Sequence, residues 1–199
     1  MTRFVYATAT SLDGFLADRD NSLDWLFAVD GGEESLAGLA EFTSGVGVLV
    51  MGSTTYQWLL DHESLLEHPE KWQQYYPGMT TFVLSSRDLP ELPGADLRVV
   101  RSAVADLVPD LLEVAAGRDV WVMGGGDVAG QFADAGRLDR IMLSVAAVTL
   151  GSGAPLLPRR LESDRLRLVG VRQVGQFAEL TYDVLPADRP TDRPADRME

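Results

Sequence analysis

The sequence predicts an α/β protein with three layers, in which helices cover both faces of a mixed, mainly parallel sheet. Short apolar runs of strand length alternate with segments whose apolar residues recur at helical spacing, and this alternation is typical of parallel strands joined by helices. Two last apolar runs, 165–174 and 177–185, are separated only by Gly175-Gln176. This spacing predicts an antiparallel hairpin at the end of the sheet.

The elements follow one another in a regular order. We predict six strands before the hairpin, each a short β-prone run: 4–9, 46–51, 80–84, 97–100, 120–123 and 140–148. We predict helices at 33–42, 52–60, 104–115 and 128–135. Residues 61–78 are polar and predict a surface excursion. Residues 186–199 contain almost no apolar residue and repeat Asp-Arg-Pro, so we expect one folded domain over 1–185 and a disordered tail.

Composition excludes several classes of function. The net charge of −13 argues against a nucleic-acid partner, because phosphate backbones need a basic face. No apolar run approaches the ~20 residues that a membrane span needs. The N-terminus passes directly into a strand pattern and the chain has no cysteine, so we expect no signal peptide and a cytoplasmic protein. No His, Asp or Glu spacing indicates a metal site.

The segment Asp119-Val-Trp-Val-Met-Gly-Gly-Gly-Asp-Val-Ala-Gly-Gln-Phe132 carries the strongest chemical signal. A strand ends in three glycines and passes at once into a helix, which lets the backbone and the first helical N–H groups approach a phosphate. The glycines also fit the relaxed dinucleotide fingerprint G-x-G-x-x-A. Their position past mid-chain, with no acid-ending strand at the expected distance, argues against a Rossmann domain.

Two further strand ends carry similar residues. Gly52-Ser53-Thr54 follows one predicted strand and Ser85-Ser86-Arg87 follows the next. Because the carboxyl ends of parallel strands meet at one edge, these turns and the glycine triplet are expected to form one crevice that suits a diphosphate. Each turn alone is equally compatible with ordinary capping and turn formation.

The ordered motifs resemble the dihydrofolate reductase superfamily. They are Ser11-Leu-Asp-Gly-Phe-Leu-Ala17, Met51-Gly-Ser-Thr-Thr-Tyr56, Leu84-Ser-Ser86, Met123-Gly-Gly-Gly-Asp-Val128 and Leu150-Gly-Ser-Gly-Ala-Pro-Leu-Leu157. The arrangement looks most similar to the reductase domain of bacterial riboflavin-biosynthesis deaminase/reductases, and it covers about residues 3–185. The resemblance implies a dihydrofolate reductase-like fold and NADPH as cofactor.

The resemblance also implies positions for the cofactor. Ala9 and Leu16 would flank the nicotinamide, and the adenosine 2′-phosphate would meet Ser85, Ser86 and Arg87. A guanidinium suits that phosphate, and Arg101 is a second candidate. The diphosphate would meet the two glycine turns: Gly52, Ser53, Thr54, Gly124, Gly125, Gly126, Asp127 and Val128. The final crossover loop, with Leu150, Gly151 and Ser152, would line the pocket.

The substrate half of the site is less defined. Folate-reducing members carry a helical carboxylate where this chain has Ser35-Leu36, with Glu33 and Glu34 displaced onto another face of the helix. This departure argues against folate reduction. Asp13, Asp24 and Glu34 are the candidate catalytic acids, although Asp13 also suits a loop turn. Trp25 and Tyr56 are substrate-contact candidates that could equally lie in the core.

The function expected from this set is NADPH-dependent reduction of a small heterocyclic or carbonyl/imine substrate. A riboflavin-pathway aminopyrimidine ribose phosphate is the nearest named substrate, although no basic cluster for its phosphate is visible. The alternative is a non-catalytic nucleotide-binding or regulatory module of the same fold. The apolar C-terminal hairpin predicts a homodimer, as in the reductases that the chain resembles.

Overall fold

The computed structural model describes residues 1–187, so all but the first two residues of the predicted tail, 186–199, lie outside the described residues. The strands are β1 Phe4–Ser11, β2 Phe15–Ala17, β3 Val46–Gly52, β4 Thr80–Leu84, β5 Leu97–Val100, β6 Asp119–Gly124, β7 Arg140–Ala146, β8 Ala154–Pro155, β9 Leu166–Val174 and β10 Phe177–Val184. The helices are α1 Asp24–Phe27, α2 Gly32–Thr43, α3 Ser53–His62, α4 Glu70–Tyr75, α5 Val104–Ala115 and α6 Gly126–Asp134.

Eight strands form one mixed sheet in the order β5-β4-β3-β6-β1-β7-β10-β9. The strands β5, β4, β3, β6, β1 and β7 run parallel to one another in this sheet, whereas β10 runs antiparallel to both β7 and β9. The predicted hairpin turn at Gly175-Gln176 is confirmed, and Gly175 has a φ of 53° that favours glycine. A separate two-stranded sheet pairs β2 with β8.

The sheet is buried on both faces, which confirms the predicted three-layer architecture. Alternate residues of the central strands point to opposite faces, as the period of a strand requires. One core cluster contains Tyr6 and Val50 with Leu111 of α5 and Phe132 of α6. The other core, on the opposite face of the sheet, contains these residues: Val5, Leu49, Met51, Leu60, Trp72 and Trp121.

Residues 61–78 are only partly the polar excursion that the composition indicated. The segment includes α4, and Leu65 and Trp72 within it are fully buried. Trp72 packs edge-on against Tyr56, with ring centroids 6.3 Å apart. Two well-spaced apolar residues therefore anchor a segment whose average composition is polar. Among the described residues, the structure has no helix of the length and apolarity that crossing a membrane requires.

Candidate functional site

Two helices begin side by side at the carboxyl edge of the sheet. β3 and β6 are parallel neighbours with Met51 opposite Gly124, and each passes directly into a helix. The N-cap residues, Gly52 of α3 and Gly125 of α6, both have extended backbone, and no side chain within residues 1–187 caps either helix. The first N–H groups of both helices therefore remain available to a ligand, and helix N-termini favour anions. We call this region, formed by Gly52 and Gly124–Gly126, the glycine edge.

The two turns of the glycine edge approach each other closely. A Cβ atom added to Gly52 would lie 3.2 Å from Cγ2 of Val128. A Cβ atom at Gly126 would lie 2.2 Å from the carbonyl oxygen of Pro155, so only glycine fits there. At Gly125 such an atom would meet nothing within 4 Å, which shows that open space adjoins this turn. Backbone N–H groups beside open space fit a diphosphate.

The end of β4 brings a cation to the same edge. The Arg87 guanidinium donates a hydrogen bond of 3.1 Å from Nη2 to Oγ of Ser53, the first residue of α3. Ser85 shapes this turn, because its hydroxyl accepts from the Arg87 N–H at 3.0 Å. Ser86 is exposed beside it. Arg101 does not join them, since its guanidinium is paired with Asp88 at 2.5 Å.

The side chain of Asp127 is already engaged within the protein. Its carboxylate accepts hydrogen bonds from Gln131 at 2.9 Å and from Arg159 at 3.0 Å. These two bonds hold the pKa of Asp127 below its ordinary value. The residue can therefore offer a ligand its backbone N–H, while its carboxylate stays turned to Arg159.

Asp13 closes the loop between β1 and β2. Its carboxylate accepts from the Ser11 hydroxyl at 2.6 Å and from the N–H groups of Leu150 and Gly151 at 3.0 and 2.7 Å. These hydrogen bonds, the Ser11 bond foremost, lower the pKa of Asp13. The structure thus favours the turn-forming role for Asp13 over that of a catalytic acid. With Ser152, Gly151 lines a separate surface hollow of about 380 Å³.

A second, larger cavity lies between α2 and the sheet. Its volume is about 790 Å³, and β1 contributes Ala7, Thr8 and Ala9 to its lining. Met123, which directly precedes the glycine triplet, also lines it, so the cavity adjoins the glycine edge. Five aromatic side chains contribute to its walls: Phe27, Trp58, Tyr76, Trp121 and Phe177.

The candidate substrate residues need correction. Tyr56 is fully buried and donates from its hydroxyl to the carbonyl of Pro90 at 2.8 Å, so it is a core residue, and burial raises its pKa to about 12. Trp25 and Asp24 lie on α1 outside the cavity lining, whereas Glu34 is an exposed residue at its rim. The aromatic contacts instead come from Phe27 on α1 and Trp58 on α3. Leu16 lies on β2 and is likewise outside the described lining of this cavity.

A polar group that sequence analysis missed lies in the cavity wall. The hydroxyl of Ser35 on α2 is 3.1 Å from that of Ser144 on β7 and 3.4 Å from Oε1 of Glu179 on β10. The other oxygen of Glu179 accepts two hydrogen bonds from Arg172 on β9, at 2.8 and 2.5 Å. These four residues lie on four elements, so no local spacing could have revealed them. The only sequence signal is the cross-strand register that puts Glu179 opposite both Ser144 and Arg172.

The fold and the glycine edge together define a dihydrofolate reductase-like domain. Residues 3–178 match the RibD C-terminal domain family, and the chain belongs to that family. A relative from Bacillus subtilis (strain 168), the uncharacterized protein YwjB, is 28% identical over 174 residues, which cover 87% of this chain and 93% of YwjB.

Solved structures share the same fold. A Shewanella sp. PV-4 protein provisionally assigned to riboflavin biosynthesis is 24% identical, with a TM-score of 0.69, and the match covers 93% of this chain and 99% of that one. A deaminase/reductase from Thermotoga maritima is 14% identical, with a TM-score of 0.65, over 92% of this chain but only 57% of its own. Enterococcus faecalis dihydrofolate reductase, solved with NADP(H), is 17% identical, with a TM-score of 0.59, over 92% of this chain and 96% of its own.

Proposed function

We propose that this protein is an NADPH-dependent reductase of a small heterocyclic or carbonyl/imine substrate. The observation that carries the proposal is the contact between two features. Met123 lines a cavity of about 790 Å³, and the next residue begins the glycine turn before α6, whose uncapped N-terminus lies beside that of α3. A diphosphate held at those N–H groups would bring the rest of a dinucleotide to the mouth of a pocket large enough for a second molecule.

Specific residues would hold the cofactor in this proposal. The N–H groups at the starts of α3 and α6 would receive the diphosphate, and the Arg87 guanidinium, next to Ser53, would receive the 2′-phosphate. Ala9, in the cavity lining, would lie against the nicotinamide. Bound NADPH supplies a hydride. The names of two structural neighbours support this assignment, since one is a reductase and the other a dihydrofolate reductase solved with NADP(H).

The reaction requires little from protein acids. An acceptor with a C=N or C=O bond would gain the hydride at its carbon and one proton at its heteroatom, and a single water molecule would provide that proton. Placement of the two reactants supplies much of the rate in such a transfer. The protein's part is to orient the acceptor against the cofactor and to keep bulk water away, which the apolar walls of the cavity suit.

Equilibrium titration with NADPH and with NADH tests the cofactor assignment. We expect NADPH to bind about tenfold more tightly or better, because a phosphate–guanidinium pair is a charge-assisted contact. A screen of oxidised heterocycles and carbonyl compounds, followed by the absorbance of the reduced cofactor, then tests turnover. Failure to bind either nucleotide would overturn the reductase proposal.

A non-catalytic binding module is the second candidate. It is favoured by the positions of the candidate acids, because Asp13 is engaged in its loop, Asp24 lies outside the cavity lining and Glu34 is exposed. Nucleotide binding without turnover of any acceptor in the screen would select this candidate. If even one acceptor oxidised NADPH mole for mole, the binding-module candidate would be eliminated.

The C-terminal hairpin supports a proposal about assembly. β9 is the edge strand of the main sheet, and three of its apolar side chains are exposed: Leu168, Val169 and Val171. An exposed apolar edge strand is a ready surface for pairing. We propose that two copies of the chain associate through it. Mass measurement in solution tests this, and a monomeric mass at micromolar concentration would contradict it.

A further inference from the structure

The large cavity contains more acidic than basic groups. Three acids are among its described lining residues, Asp30, Glu34 and Glu179, whereas Arg172 is the one cation of that lining. Arg172 is already bound to Glu179 by two short hydrogen bonds from its guanidinium. A phosphate in this cavity would therefore face a lining with more negative than positive charge, and the one lining guanidinium already pairs with a carboxylate.

The walls of the cavity are flat and aromatic. At its mouth, the ring of His62 lies 5.1 Å from that of Phe27 and 4.4 Å from that of Trp58, with interplanar angles of 7° and 14°. Phe27 and Trp58 themselves line the cavity, and Trp121 lies deeper, almost fully buried. Phe27 and Trp58 thus stack on His62, and the flat apolar side chains that line the cavity suit a planar ring.

The polar group in the wall provides a hydrogen-bond acceptor next to α2. Ser35 belongs to the stretch of α2, Ser35-Leu36, where the resemblance to folate-reducing proteins implies a carboxylate. Its hydroxyl lies beside Oε1 of Glu179, so a carboxylate from β10 reaches the same place. Oε1 has this single long contact of 3.4 Å within the described residues, and a carboxylate oxygen can accept more than one donor.

We propose that this cavity takes an uncharged, planar heterocycle without a phosphate group, and that Glu179 recognises a ring N–H of it. The inference rests on the reductase function proposed above and names the substrate class of that site. Specificity arises from the neutral aromatic walls and from one carboxylate, whose negative charge also excludes anionic substrates. Ser35, next to Ser144, contacts one oxygen of the carboxylate, and Arg172 holds the other oxygen.

Two matched pairs of fluorescent heterocycles test the substrate class by direct binding without nucleotide. Riboflavin and FMN differ only by a phosphate, and lumiflavin and 3-methyllumiflavin differ only in the ring N–H. We expect riboflavin to bind about tenfold more tightly than FMN, and lumiflavin about tenfold more tightly than its methyl derivative. FMN binding equal to or tighter than that of riboflavin, or failure of all four compounds to bind, would overturn the proposal.

The variant Glu179→Gln tests whether Glu179 recognises the ligand or only stabilises the fold. It removes the negative charge and releases Arg172, so we expect the preference for riboflavin over FMN to fall about tenfold and the penalty for N-methylation to shrink. Asp183→Asn is the matched control, because Asp183 lies on the same strand and pairs with arginines outside the cavity lining. Both preferences should persist in the control. Equal loss of affinity for all four compounds in Glu179→Gln, with unchanged ratios, would reduce Glu179 to a structural residue and overturn its assigned role.

The proposed substrate class and the proposed reductase function can fail independently of each other. Absence of NADPH binding, with selective binding of riboflavin, would overturn the reductase function while supporting the assigned chemistry of the cavity. NADPH binding together with a preference for FMN would leave the reductase function standing and overturn the substrate class. NADPH affinity of Glu179→Gln serves as the folding check, since the glycine edge does not include that residue.

Discussion

The glycine edge presents backbone N–H groups at two helix N-termini, whereas the adjoining cavity presents side chains drawn from distant parts of the chain. The edge depends on close approach, since Gly126 has no room for a Cβ atom. The cavity depends on charge and hydrogen bonding, since Glu179 holds Arg172 on one side and Ser35 on the other. The first region should therefore be sensitive to added volume, and the second to lost charge.

The largest expected effect comes from adding one methyl group at the glycine edge. In Gly126→Ala the new Cβ would lie 2.2 and 2.4 Å from the carbonyl oxygens of Pro155 and Leu156, so backbone must move. We expect the free energy of unfolding to fall by about 3 kcal/mol in a denaturant titration. Gly32→Ala is the matched control, because Gly32 also begins a helix and a Cβ there would meet nothing within 4 Å. A stability of Gly126→Ala like that of the control would show that the edge adapts easily.

The second largest effect is expected from removing the positive charge of Arg87 at the glycine edge. Arg87→Ala removes the guanidinium next to Ser53, and we expect NADPH affinity to fall about tenfold while NADH affinity stays unchanged. Arg101→Ala should change the NADPH affinity less, because Arg101 is paired with Asp88. Calorimetric titration of both nucleotides measures the four affinities. Equal losses for NADPH and NADH in Arg87→Ala would remove the role assigned to this guanidinium.

A smaller effect is expected from the hydroxyl that joins α2 to the cavity wall. Ser35→Ala removes the contacts to Ser144 and Glu179, and we expect a loss of about 1 kcal/mol in the free energy of unfolding. Ser44→Ala is the control at the C-cap of the same helix, since its hydroxyl donates only to the nearby Glu41 carbonyl. Chemical denaturation compares the two variants. If the two lost the same stability, the link between helix and sheet would contribute nothing of its own.

The smallest effect concerns pH at the loop that Asp13 closes. Hydrogen bonds lower the pKa of Asp13 below its ordinary value of 3.8, so the folded protein favours the ionised carboxylate. The stabilisation is present above that value and is lost as the pH falls from 3.8 through the lower folded-state pKa. We expect faster amide exchange at Leu150 and Gly151 in Asp13→Asn near neutral pH. Exchange rates identical to those of the unaltered protein would contradict the loop-closing role.

Much of the fold could be predicted because its signals are local. Strand-length apolar runs, glycine turns and the Gly175-Gln176 hairpin each lie within a few residues, and the strand ends that they define meet at one edge of the sheet. Composition misled at 61–78, where Leu65 and Trp72 anchor a polar segment in the core. Two apolar residues among many polar ones hardly change the average polarity of the segment, although their burial attaches it to the core.

The cavity could be predicted much less well. Trp25 and Tyr56 were reasonable aromatic candidates, but Tyr56 points into the core and Trp25 lies outside the cavity lining, where Trp58 and Phe27 supply the rings. Within one turn of a helix, successive side chains point in different directions. The presence of an aromatic residue on a helix therefore does not show whether it faces the cavity. The cross-strand register that puts Glu179 opposite Arg172 did not single out this pair, because opposite charges on adjacent strands are common surface pairs.

The sequence by itself therefore determined the order of the eight strands of the main sheet and of α2, α3, α5 and α6, but not β2, β8, α1 or α4. It also determined the final hairpin and the glycine turns at the sheet edge. These features follow from backbone conformation and from periodicity, which act over a few residues. Tertiary structure alone decided that Arg87 reaches Ser53, that Asp13 closes its loop, and that a carboxylate from β10 meets Ser35 on α2. Those contacts join residues from 34 to 144 positions apart, and they exist only once the sheet brings the strands together.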